Sequence, residues 1–368
     1  MRCVCERELL NEALGAAVRA VSPKATMDVL KGILLNCENG KLTVTGNDLE
    51  MGISSVIPAK VEQEGAFVLD SRMISEIVRR ASGEEVALSV DERFTASVIC
   101  DTMSFDIMAL PADNYPDLPD VAELRSLTLS QALLKCQLTQ TLFSVSESEG
   151  KGIHTGALFD LEPGRLTIVA LDGHRMALRH EEISNQEKFS FVIPGAALKE
   201  IEKMLSSDEE SEVTLHIGSK HVLTELSGQT VISRLLEGDF LQYKNALPQE
   251  CSFSAVLEVR PFIAALERVG LLITERLKNP VKLLFSENSL SVSCQTSLGR
   301  AQDDIPSWEA GELEIGFNHR YLLDALKKME SERFRFETSG PLSPCTLRPE
   351  DDGNVVFMVL PVRLKADL

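Results

Sequence analysis

Basic residues are scarce in this chain: 37 Lys and Arg stand against 56 Asp and Glu, a formal net charge of −19. Phosphate binding needs clustered Lys and Arg, so the balance argues against a general surface that grips nucleic acid. A local basic face survives this argument, because screening at cell ionic strength acts over about 8 Å. By itself the charge points to a scaffold that meets only other proteins. Aromatics make up 5% and hydrophobic residues 44%, so cores of Leu, Val, Ile and Ala are expected. No stretch approaches the ~18 apolar residues of a membrane span. The start, MRCVCERELL, is charged within six residues and lacks a signal-peptide apolar region. A soluble cytoplasmic protein with no membrane partner is expected. The cysteines at 3, 5, 37, 100, 136, 251, 294 and 345 form no C-x-x-C pair and no zinc-spaced cluster. Cys3 and Cys5 share one face of a strand and read as small buried hydrophobes.

Catalytic and cofactor motifs are also missing. EGKG (149–152) hints at a phosphate loop, but Val145 stands where its first Gly belongs and Gly152 where a Ser or Thr would bind metal. There is no G-x-S-x-G, H-E-x-x-H or G-x-G-x-x-G. No cofactor is expected.

What the chain does have is a repeat of 124 residues. Three segments carry an apolar stripe at helical spacing: DSRMISEIVRRAS (70–82), PGAALKEIEKMLS (194–206) and NHRYLLDALKKME (318–330). One offset aligns Ile74 with Leu198 and Leu322, Ile77 with Ile201 and Ala325, and Ala81 with Leu205 and Met329. It also aligns an earlier helix through Leu14, Leu138 and Phe262, through Val18, Leu142 and Leu266, and through Val21, Val145 and Val269. A strand-like hairpin follows each earlier helix, with Leu42, Leu166 and Leu290 in its second strand and NG, PG or EN at its turn. MALP (108–111) recurs as MVLP (358–361). Three element types holding one offset are hard to obtain by chance. The class is therefore α+β, in three tandem two-helix, strand-rich domains at 1–122, 123–248 and 249–368.

Arg79, Lys203 and Lys327 occupy one repeat position on the second helix. Arg72 matches Arg320 and Arg80 matches Lys328, while Lys199 adds a charge one turn before Lys203. Two readings stay open. Such residues suit a solvated helix face near its C-terminal end, or three copies could present one basic face to a polyanion, touching phosphates without reading sequence.

ALDGHRMAL (170–178) draws attention because Asp172, His174 and Arg175 could be an oriented acid–base pair with an anion clamp. Neighbours on one loop rarely converge on a reacting atom, and no motif places a nucleophile. Asp172 aligns with Asp48 and with Thr296, which suits a turn residue bonding its own backbone. Gly173-His174-Arg175 belongs to the middle copy alone.

Over its whole length the chain resembles the bacterial sliding clamp family, the beta subunits of the replicative DNA polymerase III. TGNDLEM (45–51), LPADNYPDLP (110–119), LDGHRMA (171–177), SPCTLRPED (343–351) and VLPVRL (359–364) carry the resemblance. It implies a non-enzymatic processivity factor, a head-to-tail homodimeric ring that holds duplex DNA by topology. The basic helix positions would then face DNA, with Lys24 added from the loop after the first helix. A pocket between the second and third domains would take an apolar peptide from the replicative polymerase catalytic subunit, the clamp loader and other clamp-binding proteins. The matching positions are Leu171, Gly173, His174, Arg175, Met176 and Leu241, with Leu342, Met358, Val359, Leu360, Pro361, Val362 and Arg363. His174 and Arg175 are expected at its polar rim. For ring closure the resemblance implies Phe105 and Ile107 on an edge strand, with Leu272 and Ile273 near the third domain's first helix. Leu241 replaces a frequent Pro, Asn245 a frequent basic residue, and the chain continues as Lys365-Ala366-Asp367-Leu368.

Overall fold

The computed structural model describes all residues except 123, 249, 275–278 and 365–368, and the side chain of 149. The expected junctions at 123 and 249, and the Lys365–Leu368 tail, lie outside the described residues. Among those described, no helix is long and apolar enough to cross a membrane.

Each third contributes two helices of eight or more residues, Arg7–Ala17 and Ser71–Arg80, Gln131–Thr141 and Gly195–Met204, Val259–Gly270 and His319–Leu326, and the middle third adds the short Tyr243–Ala246. The shared stripe is their buried face. Ile74, Leu198 and Leu322, and Leu14, Leu138 and Phe262, are at most 1% exposed. Val18, at 36%, is exposed and Val21 half-buried; Val18 lies beyond the first helix in a short 3-10 turn, Val18–Ala20, and Val21 follows it. Asp70 and Asn318 occupy one repeat position and cap their helices, accepting from Met73 N at 2.8 Å and Arg320 N at 3.1 Å.

The third copy's second helix ends at Leu326, short of the expected 330, so Lys327 and Lys328 stand past its last residue. Lys328 N and Met329 N donate to Ala325 O and Leu326 O. These three-residue steps tighten the end and satisfy carbonyls that the helix leaves open.

All three hairpins close through two residues, with Glu38 facing Lys41, Glu162 facing Arg165 and Ser286 facing Ser289. Antiparallel strands extend them into three sheets. The described residues divide into two compact units, Met1–Leu134 with Ala196–Leu235 and Lys135–Gly195 with Leu236–Leu368.

In the first unit one sheet of 13 strands is continuous because Gln229–Arg234 pairs antiparallel with Met51–Pro58. In the second, an eight-stranded sheet is continuous because Val355–Val359 pairs with Arg175–Glu182. Met51 and Arg175 are 124 residues apart, so one strand-to-strand joint between successive copies is used twice.

The expected aliphatic core is joined by phenylalanines in the last third. Apart from Phe159, the phenylalanines among the largest fully buried side chains are Phe262, Phe285, Phe317, Phe334, Phe336 and Phe357. Phe253, Phe285 and Phe336 meet edge-on or tilted at 4.9–6.2 Å. Cys3 and Cys5 are buried as expected. Desolvation drives the Cys5 thiol up to about 12, which leaves it inert as a nucleophile.

Candidate partner and DNA interfaces

Asp172 ends the strand Arg165–Leu171 and is a turn residue. Its Oδ1 accepts from His174 N at 2.8 Å and Arg175 N at 3.1 Å. Asp48 does the same for Glu50 N and Met51 N, and Thr296 Oγ1 accepts from Leu298 N. Gly173 takes φ +88°, and a Cβ there would meet Lys151 Nζ at 2.9 Å. That ammonium donates to Asp172 O at 2.9 Å, so the Glu149–Thr155 loop clasps the turn.

Arg175 turns inward, contrary to the expected polar rim. Its side chain is 13% exposed. Nε donates to Asp172 Oδ2 at 2.9 Å, and Nη1 bonds Asp324 on the His319–Leu326 helix. The guanidinium also lies 4.8 Å from the Tyr321 ring centroid and 5.5 Å from that of Phe143. A half-buried, doubly paired guanidinium gives up its reach. His174 remains outside, stacked on Tyr321 at 5.9 Å, and its carbonyl accepts from Leu360 N at 2.9 Å.

Strand pairing places Met176 opposite Met358 and Arg175 opposite Val359. Leu171, Met176 and Met358 join Leu158, Val192 and Tyr243 in one apolar cluster, with Phe240, Ala246 and Leu247 packed on it. Among the expected pocket positions three apolar side chains are exposed: Leu241 at 46%, Leu342 at 65% and Val362 at 41%. Leu342 lies in the turn before Cys345, whose strand partner is Val359. Leu360 and Pro361 are half-buried, and Gly173 and Arg363 are exposed. Asn245 is exposed, while neighbouring Lys244 is tied to Glu162 at 2.9 Å and Asp160 at 3.4 Å.

Of the basic positions, Lys24, Arg72, Arg79, Arg80, Lys199, Lys203, Arg320 and Lys327 are exposed and Lys328 is half-buried. Arg72 and Arg80 also flank a groove of about 470 Å³ whose apolar walls are Met73, Ile77, Met103 and Phe105.

Phe105 is 44% exposed, and Ile107 packs partly on the first core. Their strand, Met103–Pro111, pairs with Thr95–Cys100 along residues 103–108, while its other side is paired only at 109–111. Leu272 is half-buried and Ile273 packs on the third core. Sequence reasoning missed two neighbours: Leu271, 82% exposed, and Gly299–Pro306, an edge strand paired on one side only. Repeat position was the available signal for the latter, since residue 299 lies 124 beyond Arg175.

Three like α+β copies, an apolar cluster fed by two of them and exposed Leu and Val side chains nearby in sequence mark a protein built to bind other macromolecules. Residues 1–119, 128–242 and 244–363 match the N-terminal, central and C-terminal domains of the DNA polymerase III beta subunit. The chain is 30% identical to the beta sliding clamp of Staphylococcus epidermidis, over 99% of both chains. It superposes on the DNA polymerase sliding clamp of Bacillus subtilis with TM-score 0.94 and 31% identity, covering 99% of this chain and 100% of that one. A putative DNA polymerase III beta subunit from Eubacterium rectale gives TM-score 0.94 at 28% identity, covering 98% and 99%. The chain belongs to the DNA polymerase III beta-subunit family. It is a sliding-clamp processivity factor for DNA polymerase and performs no catalysis itself.

Proposed function

We propose that two copies close head to tail into a ring around duplex DNA, each folded as domains 1–122, 123–248 and 249–368. The repeated strand joint carries this reading. Each copy offers one strand to the next, and after two joints the Met103–Met108 side of the first and the Gly299–Pro306 edge of the last are left over. A second copy meets both needs. Met108 is 72% exposed and its repeat counterpart Met358 only 7%, the contrast expected of a joint waiting for its partner. Exposed Leu271 suits the groove beside Phe105.

Within the ring, Lys24, Arg72, Arg79, Arg80, Lys199, Lys203, Arg320, Lys327 and Lys328 face DNA. The cluster of Leu171, Met176 and Met358 takes an apolar peptide from the polymerase catalytic subunit, the clamp loader or another clamp-binding protein. Its exposed surroundings let a partner bury a few anchors and leave again. The place of action is the cytoplasm. The test is retention: protein loaded on nicked circular DNA should survive a salt wash and slide off once the circle is cut. Equal retention on circular and linear DNA overturns the topological reading.

A further inference from the structure

Arg79, Arg80, Lys203 and Lys327, four of the proposed DNA-facing cations, already have carboxylate partners. Arg79 Nη2 bonds both carboxylate oxygens of Glu76, at 2.6 and 2.7 Å, and Arg80 reaches the same carboxylate at 2.9 Å. In the next copy Lys203 bonds Glu200 at 2.7 Å. Glu76, Glu200 and Asp324 occupy one repeat position. In the third copy Asp324 is turned to Arg175, and Lys327 is paired at 2.7 Å by Glu267, on the Val259–Gly270 helix. Helix propensity accounts for an acid three residues before a base. It does not account for Glu267, which lies on another helix and takes over where the repeat's own acid is engaged elsewhere. What all three copies share is a paired cation at one position.

We infer that Glu76, Glu200 and Glu267 are built-in counter-ions that damp the attraction between the clamp's basic positions and DNA phosphates. The inference rests on the DNA-facing reading above. A free cation that neutralises a phosphate releases a condensed counter-ion from the DNA and gains that entropy. A cation held by a carboxylate presents little net charge to the phosphate, releases less of that atmosphere and must first leave its partner. Held this way, DNA is retained by the ring while each phosphate contact stays shallow enough to slide past.

The measurement is binding of a short linear duplex, free to thread, by fluorescence anisotropy across a salt series. The full-length protein carries Glu76→Gln, Glu200→Gln and Glu267→Gln together. A control with Glu92→Gln, Glu182→Gln and Glu287→Gln makes the same charge change on exposed sites away from these helices. A surface pair is worth about 1.4- to fivefold, so the first triple, which also frees Arg80 from Glu76 and Arg19 from the half-buried Glu200, should bind about tenfold tighter than the control. Its salt dependence should steepen by nearly one unit of slope per freed cation. Affinity equal to the control, with Arg79→Ala, Lys203→Ala and Lys327→Ala weakening binding, overturns the inference and leaves the DNA face intact. If that basic triple binds like the unmodified protein, the DNA-facing reading itself falls. Glu267→Gln alone keeps the test if the triple unfolds, since Glu267 and Lys327 are both about half-exposed.

Discussion

Arg175 and Asp324, 149 residues apart in sequence, form an ion pair that ties the middle copy's turn to a helix of the third. Tyr321, one turn before Asp324, supports both the Arg175 guanidinium and the His174 ring. The pair thus sets the turn from which His174 O receives Leu360 N. Asp324→Asn should weaken binding of an apolar clamp-binding peptide about fivefold without touching it, with partial rescue by Asp324→Glu. The stability cost should stay near 1 kcal/mol, since Asp324 is about half-exposed. Calorimetric titration with the peptide reads the first effect and a thermal melt the second; unchanged affinity with a lowered melting temperature would make the pair purely structural.

His174→Ala combined with Met358→Ala tests the floor directly. Met358 is 7% exposed and faces Met176 across the strand pair, so its truncation should cost about 2–4 kcal/mol of stability. Peptide affinity should fall while the dimer mass by light scattering stays the same. Undiminished affinity would move the partner site elsewhere.

The third site of leverage is Gly316. Val362 N donates to Gly316 O at 2.8 Å, and a Cβ at 316 would lie 2.7 Å from Val362 O and 2.6 Å from Leu364 Cδ2. The C-terminal run lies flat on this strand because nothing projects from it. Gly316→Val should lift residues 362–364, cost about 1–3 kcal/mol and weaken peptide binding more than Gly316→Ala does. Native affinity in the Val variant would show that the run plays no part in docking.

Local pattern carried the helices, hairpins and copy number, because apolar period and turn chemistry are written residue by residue. Pairing between distant strands is not. MALP and MVLP read alike, yet Met108 is 72% exposed and Met358 is 7%, since Met358 has a strand partner on both sides and Met108 on one. Arg175 looked like a rim charge because Asp324 is out of sight of its loop. The joint's geometry became legible only when register and repeat offset were combined.

Acid should loosen the fold before carboxylates titrate. Burial holds the imidazolium forms of His319, His154 and His180 below the usual range, reinforced by Arg320, Lys151 and Arg165 respectively. Above about pH 6.5 these histidines are neutral in both folded and unfolded chains, and their contribution is fully present. As pH falls from there toward the lowered folded values, the unfolded chain takes up protons first and stability is lost. The urea midpoint should drop between pH 7.5 and 5.5. His319→Asn should make that drop shallower; a midpoint that holds steady would mean the buried rings accept charge.

The last prediction concerns assembly. The two joints within the chain fix a register, Ser233 against Met51 and Val359 against Arg175. Carried by the repeat offsets to the unused edges, that register sets Ile107 of one copy opposite Ala301 of the next. Ile107→Cys with Ala301→Cys should therefore give a covalent dimer under mild oxidation, and neither single variant should. Native cysteines interfere little, because Cys3, Cys5, Cys37, Cys100, Cys294 and Cys345 are buried, and half-buried Cys136 and exposed Cys251 serve as their own control in the single variants. Leu271→Glu should act in the opposite sense. Its side chain is 82% exposed, so a charge there costs the single chain less than about 0.5 kcal/mol, while burying it unpaired beside Phe105 would cost several. The variant should sediment as a single chain of 40.5 kDa with an unchanged melt at low concentration. A dimer that persists with Leu271→Glu would separate ring closure from that groove, and failure of the cross-link would overturn the register.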